Sequence, residues 1–223
     1  MKILINFATE RFFTSQERLE KEAYKQGADK VIKYCPRDID KNFIRENYKT
    51  LQCARGTGYW LWKPYFILKT LKEHSEGDKV LYCDSGSYPI NNLDHIYKIL
   101  DGTNIVLFRL IDKINRQWTK GDCFKLMNCN KQKYYDVDQT LGGFQAYSVC
   151  QESLDFLEEY LEYCCNYNII TDAPNLHMKN FGDFIDHRHD QSILTNLSVK
   201  NNIERFRDPS QFGNKQVISN SEY

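Results

Sequence analysis

The chain switches between short apolar runs and longer mixed segments, and the switches mark its elements. KILINF (2–7) is a β-prone apolar run of strand length. Thr14-Ser15-Gln16-Glu17 has capping-box spacing and predicts a helix running to about Gln26, stopped by Gly27. DKVIKY (29–34) is the next strand, and a helix is expected around 40–53. Beyond the glycine-rich stretch Arg55-Gly56-Thr57-Gly58, Pro64 sits where a first helical turn would begin, ahead of YFILKTLKEH. Residues 79–83 form a third strand that runs straight into Asp84, Ser85, Gly86 and Ser87. A short helix from Asn92 or Asp94, a strand at 104–108 and another over GGFQAYS (142–148) follow. The plainest amphipathic stripe is in 151–165, with Leu154, Leu157, Leu161 and Cys164 on one face and acids near the start. DQSILTNL (190–197) predicts a last helix.

Alternation of β and α over the first half predicts an α/β domain with a mixed, mostly parallel central sheet flanked by helices. One domain over 1–208 is expected, followed by a polar, loosely held tail at 209–223. Open sheets of this kind hold ligands in the crevice beyond the carboxyl ends of their strands. Phe7-Ala8-Thr9 and Cys83-Asp84-Ser85 lie at such ends.

Composition narrows the function classes. Lys+Arg and Asp+Glu are equal at 30 each, and no basic stripe stands out, which argues against a nucleic-acid partner. None of the eight cysteines forms a C-x-x-C pair, which argues against a zinc knuckle or a disulfide scaffold and for reduced thiols in a cytoplasmic setting. MKILINFATE reads as a first strand with no secretory signal. No 18-residue apolar stretch is present, so no integral membrane segment is expected. Aromatic residues reach 14%, which suits a tyrosine-rich core and surface first, with a site that stacks rings or sugars as the sharper alternative.

Candidate chemistry gathers in a few places. Asp84 follows an apolar strand, and Ser85, Gly86 and Ser87 leave room and offer hydroxyl and N–H groups. A diphosphate with a divalent cation needs that combination, whereas the structural alternative is an Asx-turn. Asp186-His187-Arg188-His189-Asp190-Gln191-Ser192 packs two imidazoles, a guanidinium and two acids into a short run. It reads as a metal ligand at His187 or His189, a phosphate contact at Arg188 and a sugar contact at Asp190 or Gln191, or else as a loop with Asp190 as a helix cap. In Arg55–Tyr65 the glycines would let backbone approach a ligand, and Arg55 and Lys63 are the anion-binding candidates. Trp60 and Trp62 would face one way on an extended segment and pack in the core. Trp118-Thr119-Lys120-Gly121-Asp122 and Gln139–Gln145, with Gly142 and Gly143, suit a hydroxyl-rich ligand or ordinary turns.

Taken in order, GYWLWKPYFILKTL, GDKVLYCDSG, WTKGD, GGFQAYS and HRHDQSIL resemble a group of bacterial and large-virus glycosyltransferases with the GT-A fold, including capsule-type enzymes and chlorella-virus domains. The resemblance covers about residues 1–197. It implies a single GT-A-like domain and transfer of a hexose-type sugar from a nucleoside diphosphate donor, a UDP-sugar, to a glycan acceptor. It also implies polysaccharide-building work in a cytoplasm, a host's if the protein is viral. Asp84-Ser85-Gly86 fills the slot of the Asp-x-Asp motif, with Gly86 where the second, metal-binding aspartate often stands. Mn²⁺ or Mg²⁺ would then be held by Asp84 with His189 or His187. Phe7, Ala8 and Thr9 would face the base, Arg55 and Lys63 the ribose or diphosphate, and Gly142, Gly143 and Asp190 the donor sugar. Lys120 and Asp122 would lie near donor sugar or acceptor. Asp122 or Asp190 would be the base of an inverting enzyme; the His-Asp-Gln ending, with Gln191, leans toward retention. The competing readings are a sugar nucleotidyltransferase, disfavoured by the absence of glycine in FATERFFTS after the first strand, and a non-catalytic glycan- or nucleotide-sugar-binding module.

Overall fold

One sheet of seven strands organises the protein, in a computed structural model that describes residues 1–209. All but the first residue of the polar tail expected at 209–223 therefore lie outside the described residues. The strands are β1 (Lys2–Phe7), β2 (Lys30–Tyr34), β3 (Lys79–Cys83), β4 (Ile105–Ile114), β5 (Asp138–Thr140), β6 (Phe144–Ser148) and β7 (Arg205–Arg207). Their order is β2-β1-β3-β6-β4-β5, with β7 also paired to β4. β2, β1 and β3 run parallel, β6 enters antiparallel between β3 and β4, and β7 lies parallel to β4. This is the mixed α/β sheet flanked by helices that the alternating elements predict.

Strand periodicity sends alternate side chains to opposite layers. Ile3, Ile5, Phe7, Val80, Tyr82, Ile105, Leu107 and Tyr147 face one core, shared with helices Trp62–Lys72, Gln151–Cys165 and Asp190–Lys200. Leu4, Leu81, Cys83, Val106, Phe108 and Ala146 face the other, against helices Phe13–Lys25 and Asp94–Ile99. No helix among the described residues is long and apolar enough to cross a membrane.

Several local expectations change. The first long helix begins at Phe13 behind a short 3₁₀ turn, so Thr14 lies inside it and its capping box does not form. The helix expected over 40–53 is two short ones, Lys41–Glu46, capped by the Asp40 carboxylate, and Tyr48–Leu51. Trp60 and Trp62 do not lie on an extended segment: Trp60 is left-handed at the end of a tight turn, and Trp62 opens the next helix. Trp62 stacks on Phe7 at 3.9 Å in the core, while Trp60 stacks on His189. The glycines of Arg55–Gly58 serve packing within the chain. A Cβ on Gly56 would enter the Trp60 indole at 2.3 Å, and one on Gly58, at φ +91, would press on the Leu51 backbone at 2.8 Å.

Candidate active site

The antiparallel entry of β6 builds the site. Because β6 runs against β3, its first residues oppose the carboxyl end of β3: Cys83 pairs with Phe144, and the Asp84 N–H donates to the Gly143 carbonyl at 2.9 Å. Gly142 and Gly143 are thereby pressed against the acidic residues. A Cβ on Gly143 would stand 2.6 Å from Asp84 Oδ2, and one on Gly142 would stand 3.2 Å from Gln191 Cβ. Only glycine permits that approach without displacing the carboxylate.

Beneath this floor lies a buried charge network. Lys63, in the first turn of helix Trp62–Lys72, is 3% exposed, with its ammonium 2.9 Å from Asp190 Oδ2 and 3.6 Å from Asp84 Oδ1. Burial alone would lower its pKa, but Asp190 and Asp84 outweigh it and hold the ammonium above the ordinary lysine value. Burial raises the Asp190 carboxyl, opposed by the Lys63 ammonium and assisted by the Asp84 charge, and the net direction is upward from the ordinary carboxylate value. Tyr82, two residues before Asp84 on the same strand face, donates its hydroxyl to Asp84 Oδ1. The Tyr160 hydroxyl, from helix Gln151–Cys165, reaches the Asp190 carbonyl at 3.1 Å and its carboxylate at 3.4 Å. Burial pushes both phenols well up, so they stay protonated donors. Asp84 itself remains nearly half exposed and faces the crevice.

Gln191 is oriented by a chain of amides. Its Oε1 accepts from the Gly142 N–H at 3.1 Å, and its Nε2 donates to Gln139 Oε1 at 2.8 Å. Gln139 in turn donates to Asn115 Oδ1 and Thr119 Oγ1. The turn into helix Asp190–Lys200 is strained, with His189 at φ 53 and ψ −118, a sparsely populated region for a non-glycine residue. The strain aims Asp190 and Gln191 at the glycines.

Sequence-expected residues separate into two groups. Asp84, Lys63, Asp190, Gln191, Gly142 and Gly143 come together. Ser85 is buried at the same strand end, and Gly86 faces open space, so nothing steric prevents a carboxylate there. Phe7 and Ala8 are buried in the core, at 4% and 1% exposure, so no base can lie on their side chains; Thr9 alone of the three is partly open. Arg55 is taken by Asp172 at 3.0 Å and Asp186 at 2.6 Å, which ties the glycine-rich turn to the segment before helix Asp190–Lys200.

The WTKGD run is a clasp. The Lys120 ammonium donates to the Thr171 and Ala173 carbonyls, and burial lowers its pKa. A Cβ on Gly121 would strike the Met178 carbonyl at 2.1 Å. The fully buried Asp122 carboxylate accepts the N–H groups of Leu176, His177 and Met178. Those three bonds outweigh burial and hold its pKa below the usual carboxylate value. Lys120 and Asp122 thus secure the 171–178 loop.

The histidines do not fit a metal site. His187 Nε2 bonds the Ile169 carbonyl at 2.8 Å, and its Nδ1 accepts from the Lys120 N–H at 3.3 Å. His189 Nδ1 bonds the Ile170 carbonyl at 2.7 Å, and its Nε2 is sealed from solvent, 3.9 Å from Asp172. Burial lowers both pKa values, His189 to about 4, so both rings are neutral at pH 7. Among the described residues no group of three His, Cys, Asp or Glu side chains could hold an ion. The two imidazoles are thus engaged with backbone groups and do not gather with Asp84 into a three-ligand cluster.

The residues missed from sequence are Tyr82 and Tyr160. Tyr82 was accessible through strand periodicity, since it shares a face with Asp84; nothing local marks Tyr160.

Fold and site together define an α/β protein with a GT-A-like fold whose Asp84 carboxylate opens at the ends of the parallel strands. No protein-family model matches the chain, and no curated protein sequence matches it. Among solved structures it is similar to the apo form of mouse xyloside xylosyltransferase 1, with a TM-score of 0.51 and 10% identity over 92% of this chain and 83% of that one. It is also similar to the apo WbbM bifunctional glycosyltransferase, with a TM-score of 0.50 and 11% identity over 88% of this chain; the match spans 37% of that longer chain. At such identities the likeness is one of fold.

Proposed function

We propose that the protein is a glycosyltransferase that moves a hexose-type sugar from a UDP-sugar to a hydroxyl of a glycan acceptor, with retention of configuration. The observation that carries this reading is the Asp84–Lys63–Asp190 network closed over by Gly142 and Gly143 at the ligand-binding edge of the sheet. The shared fold with two glycosyltransferases supports it.

In this scheme the nucleotide lies over the ends of β1 and β3, with Thr9 and the 85–87 backbone as its contacts and Asp84 on the ribose. The half-exposed Asp84 carboxylate, with the buried Asp190 carboxylate behind it, would repel a diphosphate. Lys63 offsets one of those charges from below, in a setting where water cannot screen the interaction. The donor sugar sits against Gly142, Gly143 and Gln191, whose amide is held still by Gln139. As the bond from the anomeric carbon to the diphosphate oxygen breaks, the carboxylate of Asp190 and the amide oxygen of Gln191 favour the oxocarbenium character that develops. The acceptor oxygen bonds the anomeric carbon, and its proton passes to the departing phosphate oxygen.

Retention is favoured because the two carboxylates expected as the acceptor's base are otherwise engaged, while Asp84 is given to the ribose. Asp122 is spent on three N–H groups, and Asp190 is buried in an ion pair. No step draws on a metal held by the histidines. The test is incubation with a panel of UDP-sugars while slow UDP release is followed. Release that Asp84→Ala abolishes supports the transferase. Absence of any nucleotide affinity, with glycan binding intact, would leave a binding module instead.

A further inference from the structure

Next to the reacting groups lies a cavity of about 170 Å³ lined by Leu110, Lys113, Trp118, Arg188 and Gln191. It is smaller than the roughly 300–1,000 Å³ of a pocket that encloses a whole drug-sized ligand, and it suits one ring held from one side. Its chemistry is lopsided in a protein whose formal net charge is zero. Two cations line it and no acid does. The Arg188 guanidinium carbon lies 4.5 Å from the centroid of the Trp118 ring, and the Lys113 ammonium lies 5.3 Å from it. Arg188 has one carboxylate nearby, Asp186 at 3.9 Å, which Arg55 already holds at 2.6 Å. Lys113 makes no ion pair with any described residue.

Place in the sheet separates this cavity from the donor. Leu110 and Lys113 are on β4, and β6 stands between β4 and β3, whose end carries Asp84. Two strand spacings come to about 10 Å. Gln191 is common to both sides, with its amide on Gly142 and its side chain in the cavity lining. A line from Asp84 past Gln191 to Trp118 therefore runs in the order nucleotide, transferred sugar, next saccharide.

Resting on the glycosyltransferase reading, we infer that this cavity is the acceptor subsite and that it takes an acidic saccharide. Its ring lies by the Trp118 indole, and its carboxylate or phosphate lies between Lys113 and Arg188.

The test compares methyl β-glucuronide, glucose 6-phosphate and methyl β-glucoside by ligand-observed NMR at low ionic strength. It uses wild type and the Lys113→Gln/Arg188→Gln variant, with UDP affinity measured in parallel. Both substituted side chains are substantially exposed, so the variant keeps its fold, checked by its melting temperature. Wild type should prefer an acidic sugar over the glucoside by about tenfold, and the variant should lose that preference while UDP affinity stays unchanged. Whether the uronate or the phosphate binds better tells which acidic group the site takes. Equal binding of acidic and neutral sugars, no binding of any, or a preference that survives in the variant overturns the inference. A variant that loses UDP affinity as well assigns the two cations to the donor diphosphate and also overturns it. Absence of UDP binding in wild type, with the acidic-sugar preference intact, instead removes the transferase reading and leaves the saccharide site standing.

Discussion

Replacing Lys63 by Met removes the one cation from a network of two carboxylates and two phenols. Asp190 is 4% exposed at its side chain, and its carboxylate oxygen at 2.9 Å from the ammonium would be left without a charge partner. Breaking a buried ion pair from one side costs about 3–5 kcal/mol. For a chain of this size that is a fall in melting temperature of roughly 6–20 °C. Asp190→Asn should cost less, about 1–3 kcal/mol, because Lys63 keeps Asp84 at 3.6 Å. The double variant Lys63→Met/Asp190→Asn leaves neither buried charge unpaired. It should be more stable than Lys63→Met alone, with a coupling energy above about 1 kcal/mol. Urea unfolding of the four proteins measures this, and UDP release measures function alongside. Recovered stability without recovered turnover is the expected outcome, since the charges are needed for the reaction and not for the packing. A Lys63→Met protein within about 0.5 kcal/mol of wild type, the scatter of a neutral surface change, would refute the burial argument. A double variant that regains turnover would refute the functional one.

Gly143→Ala places a Cβ 2.6 Å from Asp84 Oδ2. Donor turnover should fall about tenfold or more with little change in melting temperature, since the half-exposed carboxylate can swing aside; unchanged kcat/KM would show that its position is unimportant. Asp122→Asn should cost about 2–3 kcal/mol through weakened bonds to Leu176, His177 and Met178. Turnover per folded molecule should persist; lost turnover at full stability would restore Asp122 as a base. The depressed pKa values of His187 and His189 mean that the unfolded chain binds protons first. Their contribution is present above about pH 6.5 and is lost on acidification, by roughly 2 kcal/mol at pH 5 for His189, which levels near its folded value of about 4, and in the same direction for His187. Urea midpoints at pH 7 and pH 5 that coincide would contradict this. Gly86→Asp meets no steric obstacle and should confer a melting-temperature rise with Mn²⁺ that wild type lacks; a large Mn²⁺ shift in wild type would point to a metal site elsewhere.

Strands at 2–7, 29–34 and 79–83 are readable as short β-prone apolar runs, and the helix opening at Asp190 as an acidic first turn ahead of Ile193, Leu194 and Leu197. The capping box at Thr14 was not a reliable start, because Phe12 and Phe13 carry the chain into the helix earlier. WTKGD and the two histidines have the residue types of a site, yet the Lys120 ammonium, the Asp122 carboxylate and one nitrogen of each imidazole bond backbone groups between Ile169 and Met178. A buried carboxylate that collects three N–H groups looks the same in sequence as one that binds a substrate. Only the route of the 171–178 loop distinguishes them.

What the sequence alone determined is the order of elements and the placing of Asp84 at a strand end, since periods of 2 and 3.6 residues act within a single segment. It also marked the glycines at 142 and 143. The tertiary structure decided the charge partners. Lys63, Asp84 and Asp190 lie on three separate elements and meet because β6 returns antiparallel and the helix from Asp190 packs across its start. Ion pairing depends on distance and on exclusion of water, and neither is a property of neighbours along the chain.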